Sequence, residues 1–365
     1  MRVDSVCDVA IVGGGLAGLT CASVLSAQGH DARIYEATQN IGGRIQSLRA
    51  PQSRHPLADL GPTWVWPPYQ SAVNRWLERL DIQLFAQFET GHAVLDLQGE
   101  PGPRQQVLPG QHGMSRIVGG PQTFVDRLSQ LISPHQICTG RRLTVVEWNK
   151  ERFTLYFENH ELSPVHAKKI VIAAPLRCMA QYVEWNGILN DQMLDIMRSA
   201  PTWMAKQTKV VIAYSKPFWR DAGLSGRVAS QLGPLSEIHD HCSADGQYAA
   251  LFGFVGWPER YRDSNQLQQD VRHQLERCFG QAGADYRKMH ICDWSENRDI
   301  CSQIDDFLPA QHPQPLPAVM CQLNAEENIA FANAETGSAH PGLIDGALES
   351  GERAAQVIIA SASNS

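Results

Sequence analysis

The chain has 365 residues, of which 43% are hydrophobic and 19% charged, so it can bury large cores and is too apolar to be disordered. Its 38 acidic and 31 basic residues include no Lys/Arg run, which argues against nucleic acid or an anionic membrane as a partner. The nine scattered cysteines form no Cys-x-x-Cys pair, which is typical of reduced thiols in a cytoplasmic protein, and no stretch approaches the roughly 20 apolar residues of a membrane span.

The first predicted elements form a nucleotide-binding unit. Residues 7–12 are a β-branched run typical of a buried parallel strand, residues 19–28 are predicted to be helical, and residues 31–35 form a second strand that ends in Glu36. The loop after the first strand matches G-x-G-x-x-G and contains Gly13, Gly15, Leu16, Ala17 and Gly18. Such a loop brings backbone and a helix N-terminus to a pyrophosphate, and the terminal acid accepts hydrogen bonds from a ribose. An empty glycine-rich turn is the weaker interpretation, because all these features occur in order within one unit.

A second glycine pair follows the ribose acid. The segment from residue 37 to residue 44 supplies Ala37, Gly42, Gly43 and Arg44. A simple NAD site does not need this pair, which would let the chain run against a pyrophosphate while Arg44 neutralises its charge. The extended pattern resembles the FAD-binding opening of the flavin amine oxidase superfamily, which includes monoamine and polyamine oxidases.

Segments further along the chain are similar to the same superfamily. Residues 59–64 resemble the segment that lines the flavin, and this match implies cofactor contacts for Gly61, Pro62, Thr63 and Trp64. Residues 116–120 resemble its Gly-Gly turn into a helix. Three predicted strands, at 143–148, 154–158 and 170–174, are similar to its β-meander and its return to the main sheet. The resemblance places Leu143 and Ala174 at the cofactor.

The C-terminal region carries the other strong match, a strand at 329–332, a turn at 333–336 and a final helix that opens within 341–351. In the family the N-terminus of this helix points at the flavin pyrimidine. The resemblance therefore implies that N–H groups around Gly346 and Ala347 stabilise negative charge on a reduced flavin. It also implies cofactor contacts for Glu335 and Leu343. An ordinary amphipathic last helix is the alternative, and both descriptions can hold together.

The implied fold class is α/β, with a Rossmann-like FAD-binding domain and a discontinuous, mixed α+β substrate domain. The FAD-binding domain is predicted over 1–70, 115–180 and 322–365, and the substrate domain over 71–114 and 181–321. Larger superfamily members insert a helical segment between the positions of Arg44 and Gly119. Little room for it remains here, so we expect a shorter or more open entrance.

Two residues are candidates for catalysis. Residues 201–214 are predicted to be a strand similar to the family strand whose lysine reaches flavin N5 through a water, and Lys209 occupies that lysine's position. The alternative is a solvent-facing lysine, as we expect Lys206 to be. His340 precedes the last helix and could approach the flavin ring. No metal site is predicted.

Another candidate wall of the site is the segment 233–241. His239 and His241 share one face of its predicted strand, with Asp240 on the opposite face. A third converging ligand is lacking, so hydrogen-bonded or substrate-facing histidines are favoured over a metal centre.

The chain also departs from the monoamine oxidase pattern. Leu343 stands at the second tyrosine of the family's aromatic cage, and an ungapped count places Gln303 and Ile304 at the covalent cysteine and the first tyrosine. We therefore expect non-covalent FAD and no aromatic cage. Cys301, two residues away, is the alternative attachment point.

The resemblance implies a FAD-dependent oxidoreductase of the amine oxidase type. Hydride would pass from a C–H next to nitrogen of a small molecule to flavin N5, with reoxidation by dioxygen to hydrogen peroxide. Two alternatives keep the fold: a renalase-like oxidase of dihydronicotinamides or a desaturase. A third is a flavoprotein that acts on or with a polypeptide partner. The sequence leaves the oligomeric state open.

Overall fold

The computed structural model describes residues 6–49, 57–259, 262–321 and 328–362. The predicted domain boundary at residue 322 lies outside these ranges. The strands are, in chain order, β1 Cys7–Val12, β2 Ala32–Tyr35, β3 Ser47–Leu48, β4 Ala58–Asp59, β5 Trp64–Val65, β6 Leu84–Ala86, β7 His92–Asp96, β8 Arg104–Gln106, β9 Ser115–Ile117, β10 Ile137–Cys138, β11 Leu143–Trp148, β12 Phe153–Phe157, β13 Val165–Ile172, β14 Thr208–Tyr214, β15 Leu224–Ser230, β16 Leu235–Asp240, β17 Ala249–Val255, β18 Lys288–Asp293 and β19 Ile329–Phe331.

The α-helices are α1 Leu16–Ala27, α2 Ser71–Arg79, α3 Gln122–Gln130, α4 Leu176–Tyr182, α5 Asp191–Ser199, α6 Phe218–Asp221, α7 Ser264–Phe279, α8 Gln281–Ala284, α9 Gln303–Phe307 and α10 Ile344–Ala362. Within the described ranges, no helix is both long enough and apolar enough to cross a bilayer.

The first sheet has a parallel centre, with strand order β10–β2–β1–β13 and with β19 parallel to β13. β19 pairs with residues 170–172 of β13. The antiparallel strands β12 and β11 extend the sheet from residues 165–167 of β13. Five of the six residues of β1 are buried, because the strand is covered on both faces and lies between two neighbours. α1 and α10 pack against each other beside it. This arrangement is the predicted Rossmann-like unit.

The second sheet runs β18–β14–β17–β16–β15–β7–β8 and is antiparallel except for the pair β15 and β7. One face packs against α7 through a core that includes Val210 and Ile212 of β14 and Leu267 of α7. The neighbouring residue Val211 points to the opposite face, where it packs with Phe252. Because α7 covers only one face, the other face can form the wall of a site.

The structure differs from two expectations. The strand predicted over 201–214 begins only at Thr208, after a turn in which Met204 has a φ of +60°. α2 begins the segment 71–114 assigned to the substrate domain, but it packs Val73 and Trp76 into the core of the first sheet. The division into domains itself stays a prediction.

Among the described residues eight cysteines are free thiols. The cytoplasmic location expected from the cysteines stays a prediction.

Candidate active site

A cavity of about 1000 Å³ lies between the carboxyl ends of the parallel strands and the second sheet. This position is where open α/β sheets bind nucleotides, and the volume is at the upper end for small-molecule and cofactor sites. All predicted site residues line the cavity except Gly18, Gly346 and His340.

The glycine loop after β1 shows why each glycine is needed. Gly13 has a φ of +111°, and a Cβ there would lie 2.9 Å from the carbonyl carbon of Ala173. A Cβ on Gly18 would lie 2.1 Å from the Gly13 oxygen, so this glycine allows close packing beneath the cavity. A Cβ on Gly15 would meet no atom within 4 Å and would stand in the cavity that Gly15 lines. Gly15 therefore keeps open the space that a pyrophosphate would fill.

Glu36 is fixed at the end of β2. Its Oε2 accepts a hydrogen bond from the backbone N–H of Gly14 at 2.7 Å. Its Oε1 accepts from the backbone N–H and the Oγ1 of Thr38, both at 2.9 Å. These donors hold the carboxylate at the cavity wall, where it can accept further hydrogen bonds from ribose hydroxyls.

Arg44 joins three segments that are distant in sequence. Its guanidinium donates to both carboxylate oxygens of Glu335, at 2.7 and 3.0 Å, and to the carbonyl of Trp203 at 3.0 Å. The backbone N–H of Trp203 also donates to Glu335, at 3.1 Å. The positive charge of Arg44 is thus already paired, and its role in neutralising a pyrophosphate stays a prediction.

Lys209 is 1% exposed and lines the cavity from β14. Its Nζ donates to the Gly61 carbonyl at 2.9 Å and to the Thr63 Oγ1 at 2.6 Å, and it lies 4.3 Å from the centre of the Phe252 ring. Burial lowers the pKa of the amine to about 7, although the nearby Asp59 carboxyl acts in the opposite direction. The alternative of a solvent-facing lysine is therefore wrong.

A buried polar cluster lies behind Lys209. Burial raises the pKa of Asp59 against the effect of Lys209 and Arg116, and burial lowers the pKa of Arg116. The Nε2 of His241 accepts from the backbone N–H of Asp59 at 2.9 Å, so the ring is neutral with its proton on Nδ1. Burial also holds the pKa of His241 well below its usual value. Two further titratable groups, the neutral imidazole of His241 and the carboxyl of Asp59, thus lie near Lys209 and are shielded from water.

His340 is not brought to the cavity wall. Its Nδ1 lies 2.8 Å from the Oδ2 of Asp345, whose Oδ1 accepts from the backbone N–H of Val73 at 2.9 Å. The Asp345 carboxylate therefore joins the start of α10 to α2, and the imidazole pairs with this carboxylate instead of lining the cavity. Gly346 is also absent from the lining, because it packs closely: a Cβ there would lie 2.4 Å from the His340 oxygen.

Cys178, which the sequence did not indicate, is a cysteine that lines the cavity. Cys301, the alternative attachment point, is fully buried and packs with Ala205 and Trp294 away from the lining. Burial raises the pKa of both thiols to about 12, so neither is a thiolate at neutral pH.

Lys206 lies two residues before the start of β14 and is therefore not part of the strand. Its Nζ lies 3.4 Å from the Leu308 carbonyl and 3.4 Å from a carboxylate oxygen of Glu259. The expectation of a solvent-facing lysine was wrong here, since these contacts partly bury the side chain.

Only one aromatic residue of the cavity wall, Trp64, was predicted from the sequence. In addition to Trp64, the cavity is lined by Trp66, Tyr182, Trp203, Phe254 and Trp294. These residues come from separate loops, strands and helices, so no local pattern connects them. His239 and His241 do share a face, as predicted, and Asp240 on the other face accepts from Trp219 and Arg220. Among the described residues no group of three or more His, Cys, Asp or Glu side chains could hold a metal ion.

The glycine loop, the carboxylate at the end of β2 and the cavity between two sheets together define a dinucleotide-binding protein of Rossmann-like, two-sheet architecture. Residues 102–359 match the model of the family described as flavin containing amine oxidoreductase, and residues 11–80 match an NAD(P)-binding Rossmann-like domain. The chain belongs to the flavin-containing amine oxidoreductase family. Its cofactor is FAD, and the open space above Gly15 fits that group.

Relatives and solved structures agree with this assignment. The chain is 21% identical to the flavin-containing amine oxidase B of Canis lupus familiaris, over 97% of this chain and 86% of that protein. A wild-type putrescine oxidase bound to putrescine superimposes with a TM-score of 0.79 (17% identity, 98% of this chain and 99% of that chain). The cyclohexylamine oxidase of Brevibacterium oxydans IH-35A gives 0.80 (15% identity, 98% and 100%). These two likenesses confirm the predicted fold class.

We expect the FAD to be released when the protein is denatured by acid or heat, because Cys178, the one cysteine of the described residues that lines the cavity, is not a thiolate at neutral pH. Precipitation followed by absorbance of the supernatant at the flavin band measures the released fraction. Yellow colour that stays in the pellet contradicts the non-covalent prediction. In that case the variants C178S and C301S identify the thiol, and the structure favours Cys178 because it lines the cavity.

Proposed function

We propose that the protein is an amine oxidase that removes a hydride from a C–H next to nitrogen and delivers the electrons to dioxygen, with hydrogen peroxide as the product. FAD, when bound, supplies the acceptor for the hydride. The observation that carries the proposal is the placement of Lys209, a buried amine in the cavity wall of a chain from this family. The solved neighbours named for oxidation of putrescine and cyclohexylamine support an amine as the substrate.

The task of Lys209 follows from its hydrogen bonds. Two donors of the Nζ are used by Gly61 and Thr63, which fix the side chain and leave one position of the nitrogen for the cavity. A pKa of about 7 allows that nitrogen to take up or release a proton at neutral pH. Lys209 can therefore orient a water and assist the transfer of electrons to dioxygen by supplying positive charge or a proton.

The aromatic wall has a different task. Trp64, Trp203 and Phe254 present ring surfaces to the cavity, which suits the apolar part of an amine and excludes water around the reacting carbon. The cage tyrosine of monoamine oxidases is replaced by Leu343, which also lines the cavity. The substrate is therefore held by these rings and not by a tyrosine pair.

The test is anaerobic bleaching of the visible flavin band by a panel of amines and of dihydronicotinamide isomers. We expect amines to bleach the flavin and to release one hydrogen peroxide for each amine oxidised when air is admitted. Bleaching by dihydronicotinamides alone would overturn the proposal in favour of a renalase-like oxidase. Flavin that is reduced by light but by no small molecule would overturn it in favour of action on a polypeptide.

A further inference from the structure

A second cavity of about 200 Å³ lies on the other side of the segment that holds the Lys209 amine. Residues 57–59 line this second cavity, and residues 60–64, which follow directly, line the main cavity. The segment 57–64 is therefore a partition between the two cavities. Ala244 and Asp245 also line the second cavity and are exposed, so it opens to the surface and has room for several waters.

Two buried groups of opposite charge line the second cavity. Asp59 at the end of β4 is 3% exposed, and Arg116 of β9 is 6% exposed. The Nη1 of Arg116 donates to the Cys242 carbonyl at 2.7 Å, whereas its Nε is buried without a hydrogen-bond partner among the described residues. A guanidinium keeps its proton at neutral pH even where burial lowers its pKa, so Arg116 is a cation behind the partition.

Asp59 lies within electrostatic reach of Lys209. Its Oδ2 is 3.5 Å from the Nε2 of His241, and the His241 ring meets the Phe252 ring edge-on with the centroids 5.0 Å apart. The Nζ of Lys209 lies 4.3 Å from the centre of the same Phe252 ring. Charges that are shielded from bulk water act on one another over several ångströms. Burial accordingly lowers the pKa of Lys209 most, while Asp59 counteracts this effect and Arg116 adds to it.

The other ionisable groups near Lys209 carry little effective charge. Burial holds the pKa of His241 well below its usual value and raises the pKa of Cys292 to about 11, so both groups are neutral at neutral pH. Glu237 also lines the main cavity, but its side chain is 48% exposed, and solvent screens its charge.

The groups around Arg116 are compensated as well. Asp240 forms a salt bridge with Arg220 at 2.8 Å, and burial raises the pKa of the Cys242 thiol to about 11. Among the described residues, Asp59 and Arg116 are therefore the groups whose charge acts on Lys209 from behind the partition.

We propose that Asp59 and Arg116 act from the second cavity as opposed charges that set the charge of Lys209, with Asp59 favouring the cationic amine and Arg116 the neutral amine. This inference rests on the proposed function, in which a cationic Lys209 assists the transfer of electrons to dioxygen. Both are positioning residues, because they act through Lys209 and neither belongs to the described lining of the main cavity. Since the second cavity opens to water separately, Asp59 can exchange protons with solvent while a ligand fills the main cavity.

The test follows the protonation of Lys209 in the variants D59N and R116Q. NMR of the oxidised, FAD-bound protein labelled with ¹³C at the lysine Cε carbons gives the pKa of each amine, and the signal that K209M lacks belongs to Lys209. We expect D59N to lower this pKa and R116Q to raise it, each by roughly one unit or more. In stopped-flow experiments, the pH at which flavin reoxidation slows should shift in the same direction as the pKa in each variant.

Two control variants separate the charges from other effects of substitution. R116K keeps the positive charge behind the partition and should keep the wild-type pKa of Lys209. D245N makes the same chemical change as D59N at the exposed rim of the second cavity, where solvent screens the charge, and should leave this pKa unchanged. If D59N does not fold, the comparison of R116Q with R116K decides.

Several results would overturn the inference. An unchanged pKa of Lys209 in D59N or R116Q, or equal shifts in the matched controls, would mean that these charges do not act on the amine. A rise in both D59N and R116Q would mean that the substitutions only admit water. Opposite pKa shifts with an unchanged reoxidation profile would overturn the link to dioxygen. If no amine is oxidised, the proposed function falls, and opposite shifts in the NMR titration would still support the action of Asp59 and Arg116 on Lys209.

Discussion

Replacing Lys209 with Met should slow the reoxidation of reduced flavin by dioxygen by roughly tenfold or more, because a positioned charge or acid is removed. Met has a similar stem length, and the raised pKa of the neighbouring Asp59 allows that carboxyl to become neutral when its cationic partner is lost. Folding and FAD content should therefore be retained. Stopped-flow mixing of the reduced protein with aerated buffer measures the rate.

The pKa of Lys209 also predicts how the reoxidation rate depends on pH. The Lys209 amine is cationic below its pKa of about 7 and neutral above it, so the wild-type rate should fall as the pH rises through about 7. The K209M variant should lack this step. The control is K216M, which removes an exposed lysine just after β14 that forms a salt bridge with Asp221. Equal rates in K209M and K216M would assign Lys209 a purely structural role.

Replacing Gly15 with Leu should abolish retention of FAD. The backbone can accept a side chain, since a Cβ meets no atom within 4 Å, so the protein should still fold. The new side chain would fill the space where the pyrophosphate approaches the start of α1. Flavin absorbance per protein should fall to about a tenth of the wild-type value or less, as expected when close backbone approach is lost.

The control for this prediction is G102L, at a glycine in the turn between β7 and β8 whose Cβ would also meet nothing within 4 Å. It should keep its yellow colour. A G15L protein that binds FAD with unchanged affinity would mean that the cofactor does not pass over this loop.

The parts of the site that follow from local backbone chemistry could be predicted from the sequence. Gly18 is specified by a close contact with Gly13 within one strand–loop–helix unit. The loop itself matches a sequence motif, although the contact that requires Gly13 comes from Ala173 after β13. Lys209 was predicted from the resemblance of its strand to the family strand that carries a lysine. The start of β14 was predicted too early, because the left-handed turn at Met204 carries no proline or glycine that would mark it.

Features that depend on distant partners could not be predicted. The salt bridge between Arg44 and Glu335 joins residues 291 positions apart, and no spacing rule connects them. His340 was expected at the cavity, but the side chain of Asp345 one helical turn later offers a nearer partner. Asp59 of β4 and Arg116 of β9 meet behind Lys209 only in the folded chain, and no pattern in the sequence joins them.

The formation of the cavity from both ends of the chain also has a consequence for the synthesis of the protein. The cofactor cavity needs Gly13 from the start of the chain and Ala347 from α10, so it cannot exist until both have left the ribosome. At about 5–20 residues per second, the stretch between them takes roughly 15–70 s to synthesise. During this interval the apolar strand β1 lacks its neighbour β13 at first and its cover from α10 throughout. Nascent chains should therefore depend on chaperones during translation, and FAD can stabilise the protein only after its synthesis has passed α10.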